Sequence, residues 1–90
     1  MGYALYDSHG YVGDVASIGG WWELITTVDK RQVVGPLVDF LNTGKTTNPK
    51  EVVKAIDEML PSINDPSVKS ILRALRTGLL KTKEIAIVSG

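Results

Sequence analysis

Gly44-Lys45-Thr46, inside the stretch NTGKTTNP (residues 42–49), are the residue types that cradle phosphate in nucleotide-binding loops. That chemistry also needs a glycine five positions upstream, a strand leading in, and a helix opening at the lysine, so that backbone N–H groups surround the anion. The upstream position is Asp39, a carboxylate that repels phosphate, and the approach PLVDFLN has helical rather than strand character. Gly44 is therefore read as the left-handed residue that ends a helix, with Lys45 and Thr46 on an exposed connector and Asn48 as the side-chain cap of the next helix.

His9 is the only histidine, and Asp7 and Asp14 flank it within reach across a hairpin. An imidazole between carboxylates suits proton transfer or metal ligation. The spacing fits a solvated turn equally well, and the further ligands that a metal site needs are missing. No cysteine is present, and no serine stands in a sharp turn after a strand, so no nucleophile and base can be assembled. A non-catalytic protein without metal or cofactor is expected.

Two other groups suit binding rather than catalysis. Trp21 and Trp22 are adjacent on an expected helix, about 100° apart, so both cannot enter one core. With Trp21 inward, Trp22 becomes a candidate partner-binding residue, joined by Tyr3 and Tyr11 of the neighbouring hairpin. Lys69, Arg73 and Arg76 follow at i, i+4 and i+7, a basic stripe flanking a leucine face. They form the alternative site, an anion surface for nucleic acid or an acidic partner. The simpler reading of that stripe is a solvated face, or one paired with the acidic hairpin.

The elements that must hold these residues follow from local pattern. The first sixteen residues read as a β-hairpin turning at Asp7-Ser8-His9-Gly10. Ile18-Gly19-Gly20 forms a flexible joint, and a helix beginning near Trp21 carries Leu24, Ile25 and Val28 on its apolar side. Gly35-Pro36 breaks it, and a short helix follows over Leu37, Phe40 and Leu41. Asn48-Pro49 opens a third helix with Val52, Ile56, Met59 and Ile63 on one side, which Pro61 ends or kinks. Asp65-Pro66 opens the last helix, on Val68, Leu72, Leu75 and Leu79, with Gly78 as a stop signal. KEIAIVSG closes the chain as a strand whose unbroken IAIV suggests burial on both faces.

Strands at both ends around three or four helices imply an α+β fold: a small antiparallel sheet, made of the N-terminal hairpin and the C-terminal strand, packed against the helices. One domain over residues 1–90 and a three-stranded sheet are expected. Such a chain buries only roughly 60 to 65% of its unfolded surface, which favours covering the rest by association.

Ten basic and ten acidic residues cancel, so the overall field does not favour nucleic acid. The charges are unevenly placed. Residues 1–29 hold four acids and no base, while residues 66–90 hold five bases and one acid, consistent with the two ends lying together. No apolar run is long enough to span a membrane, and the N-terminus lacks a basic leader, so a cytoplasmic location is expected. The resulting expectation is a small interaction module that self-associates or binds a protein partner through the aromatic surface near Trp22.

Overall fold

Strand β1 (Gly2–Asp7) and strand β2 (Gly10–Ser17) pair antiparallel, with Tyr6 opposite Tyr11 and Tyr3 opposite Ala16. The computed structural model describes residues 2–90; Met1, the first residue of the expected hairpin, lies outside the described residues. The turn is held where Asp7 Oδ1 accepts from the main-chain N–H of His9 at 2.8 Å. Two register shifts interrupt the ladder, and each leaves one residue of β2, Val12 and Val15, without a direct partner.

Helix α1 (Ile18–Lys30) starts a turn earlier than the spacing of its apolar residues suggested. Ser17 is the reason: its hydroxyl accepts from Gly20 N–H at 3.0 Å, so the two glycines lie inside the first turn instead of forming a joint. Trp21, Leu24 and Val28 are buried, with Ile25 partly so. The chain then turns through Gln32 at φ 54°, and the Arg31 guanidinium donates to the hydroxyl and carbonyl oxygens of Ser62 at 2.8 and 2.6 Å.

Helix α2 (Pro36–Thr43) has proline at its first turn and buries Leu37, Phe40 and Leu41. Gly44 ends it in the left-handed conformation, φ 76°, its N–H donating to Phe40 O at 2.8 Å. That turn corrects the expected connector. It carries the chain alongside the last strand, where Val88 N–H donates to Gly44 O at 2.7 Å and Lys45–Thr46 becomes strand β3.

Helix α3 (Pro49–Met59) buries Val52, Val53 and Ile56. Its cap is also a correction. Asn48 makes no side-chain cap; with ψ at 74° it leaves the capping geometry, and its N–H is taken by Thr46 Oγ1 at 3.0 Å. Pro61 ends the helix as expected, through a 3-10 turn over Leu60–Ser62 that leads to buried Ile63.

Helix α4 (Pro66–Lys81) is capped by Asp65, which accepts from Ser67 N–H at 2.8 Å. Val68, Leu72, Leu75 and Leu79 are all buried. Gly78 does not stop this helix; a Cβ there would stand 2.7 Å from Leu5 Cδ2, so the position is a point of close approach to β1.

Strand β4 (Ala86–Ser89) alternates, Ala86 and Val88 buried, Ile87 and Ser89 exposed, so the expectation of two buried faces fails. Helices cover one face of the sheet only. The sheet is antiparallel with order β2-β1-β4-β3, four strands where three were expected, because Lys45–Thr46 adds an edge. The result is a small α+β fold whose core joins Leu5, Val15, Ala86 and Val88 of the sheet to the apolar faces of all four helices. No helix is long and apolar enough to cross a membrane among the described residues.

Candidate functional site

Residues opposite one another in antiparallel strands share a face, so the register shows what the sheet presents. Leu5 pairs with Val88 and faces the helices. Tyr6, one residue on, faces away, opposite Tyr11 on one side and Ile87 on the other, and Ile87 lies opposite Lys45. Tyr11, Tyr6, Ile87 and Lys45 thus form one row across all four strands on the face without helices. Tyr11 is 61% exposed, and Tyr6 and Ile87 37% each, values high enough for contact with another molecule. The next row, Asp14, Ala4 and Ser89, is short, so the rings stand above it.

Within the row the two rings meet edge to face, centroids 5.9 Å apart at 73°. The Tyr11 hydroxyl donates to Asp14 Oδ1 at 3.0 Å, and this bond to a carboxylate raises the phenol's pKa above its ordinary value. One end of the row therefore carries a carboxylate and the other a lysine.

The sequence-derived candidates are distributed over different surfaces. Tyr11 belongs to the row. Tyr3 faces the helices and stacks on Trp21, centroids 5.0 Å apart at 24°. Trp22 is 57% exposed on α1, one turn from exposed Ile18; its ring pairs with neither Tyr3 nor Tyr11, which face opposite sides of the sheet. The three residues do not form one continuous patch. Tyr6, Ile87 and Lys45 were not identified as site residues; the alternation of GYALYD, with Leu5 inward and Tyr6 outward, was the available signal for Tyr6.

The basic stripe is divided as well. Arg76 reaches across to Asp57 of α3 in a bidentate contact, which raises the guanidinium's pKa through that hydrogen bond and charge. Its partner is not in the acidic hairpin, which corrects the expected pairing. Arg73 lies with Asp14, Thr77 and Lys81 along an open groove over Val12 and Leu5, and no ion pair involves Lys69 or Arg73 among the described residues.

His9 stands exposed at the hairpin tip, while Asp14 is engaged by Tyr11. No cluster of three or more His, Asp or Glu side chains that could hold a metal ion occurs among the described residues. A second groove, of about 290 Å³, runs between Val33–Val38 and α3, lined also by Ala55, Glu58 and Met59 and by Arg31 and Ser62.

Comparison with known proteins adds no relative. No family model, curated protein or solved structure matches the chain.

Proposed function

We propose that this protein is a non-catalytic interaction module that docks a protein surface on the open face of its sheet. The observation that carries this reading is the cross-strand row of exposed Tyr11, Tyr6 and Ile87. Aromatic side chains combine large apolar area with few rotatable bonds, so they lose little entropy on contact and are enriched in binding hot spots. The sheet edges suit docking less: β2 is interrupted by two bulges, and β3 is two residues long.

Trp22 with Ile18 on α1 is the second contact surface in this reading, supported by their 57% and 45% exposure. Binding of nucleic acid or an acidic partner through Lys69, Arg73 and Arg76 is supported less, because Asp57 already engages one of the three cations.

A photo-crosslinking residue placed at Tyr11, compared with one at exposed Lys50 on α3, tests the reading in extract of the protein's source. Protein adducts that form at Tyr11 well above the Lys50 background are expected. Equal yields at the two positions would remove the case for the sheet face.

A further inference from the structure

We propose that the occupant of the open sheet face is a second copy of this chain, packed sheet to sheet about a two-fold axis that runs along the strands. This deepens the proposed function and rests on it. The argument comes from where the charges stand. The row spans about 14 Å across four strands, with Lys45 on the β3 edge and the Tyr11–Asp14 pair on the β2 edge.

A homodimer with two-fold symmetry uses one surface twice, so the surface must complement itself. An axis along the strands reverses the row of one copy over the other. Lys45 then meets the partner's Tyr11 and Asp14 at both ends, and Tyr6 meets the partner's Ile87 in the middle. An axis across the strands would instead place Lys45 over the partner's Lys45, a like-charge contact that costs affinity. Both axes keep the strands of the two sheets roughly aligned, as face-to-face packing does, so the charges decide between them.

Chemistry fits at each end. A lysine ammonium is attracted both by a carboxylate and by the face of a tyrosine ring. In one copy alone, no ion pair takes up Lys45 or Asp14 among the described residues. The row therefore has a lysine at one rim and, at the other, a carboxylate that accepts from Tyr11 but is in no ion pair. The face is narrower than a standard protein interface, so the dimer should dissociate on dilution.

Sedimentation or light-scattering mass, measured over a wide concentration range, tests the proposal on the full chain. The expected result is a mass that rises from monomer to dimer. Lys45→Glu and Asp14→Lys should each raise the dimer dissociation constant by about tenfold, and Lys45→Glu/Asp14→Lys should recover most of the loss. Both positions are exposed, and circular dichroism of each variant is the control for folding. A wild-type protein that stays monomeric at every concentration overturns the proposal. So does a dimer that survives the charge reversals and is lost with Trp22→Ser, which would place the contact on α1. A monomer that still crosslinks a different protein at Tyr11 sinks self-association while leaving the docking face standing, whereas a monomer without adducts at Tyr11 sinks both.

Discussion

At the scale of residues, the carboxyls of Glu23 on α1 and Asp65 at the head of α4 carry opposite pKa shifts. Glu23 is raised by its hydrogen bond to Asp65 and by that neighbour's charge; Asp65 is lowered by the hydrogen bond to Glu23 and by Ser67 N–H. The two signs give two pH dependences. A raised folded-state pKa means that the contribution of Glu23 is present below the ordinary glutamate value and lost as pH rises through the raised one. A lowered pKa means that the contribution of Asp65 is present above the ordinary aspartate value and lost as pH falls through the lowered one. Between those limits the pair holds one proton; at neutral pH it holds none and the charges repel. Glu23→Gln, which keeps a donor and removes a charge, should therefore melt slightly higher than wild type near pH 7, with the gap closing in acid as pH falls through the raised Glu23 pKa. Thermal scans at neutral and acidic pH measure it, and a gap that grows on acidification would show that the carboxyls are not coupled.

At the scale of elements, each helix is started by an identifiable device, and two of the four are stopped by one. Ser17, Pro36, Pro49 and Asp65-Pro66 begin helices, and Gly44 and Pro61 end them. Gly78 has a different role. In the last turn of α4 it lets the helix backbone approach β1, where an added Cβ would meet Cδ2 of Leu5, a side chain only 1% exposed. Gly78→Val should destabilise the fold by about 2 kcal/mol or more through overpacking, although valine is the better helix former. Urea denaturation reads the loss, and a variant as stable as wild type would mean that the contact yields. In the sequence Gly78 looked like a terminator because a glycine near the end of an apolar pattern commonly is one. The deciding neighbour, Leu5, is 73 positions away.

At the scale of the whole molecule, helices cover one face of the sheet and leave the other to Tyr11, Tyr6 and Ile87. If a second copy covers that face, folding and association are linked by mass action. The melting temperature should then rise with protein concentration in the wild type, and the slope should flatten in Lys45→Glu. A melting temperature independent of concentration in both would separate folding from dimer formation. By itself, the sequence determined the helices, the hairpin, the return of the last strand and the exposure of Trp22, because caps, prolines and the 3.6-residue period act between near neighbours. Tertiary structure alone decided the fourth strand, which exists because Gly44 turns Lys45–Thr46 against β4. It also decided which side chains share the open face. Strict alternation puts Tyr11 and Asp14 on opposite sides of β2; the bulge at Val12 inserts one residue, flips the pattern and brings phenol and carboxylate together. A bulge is set by how two strands pair, and a shift of one residue exchanges inside for outside, so no local pattern could locate that row.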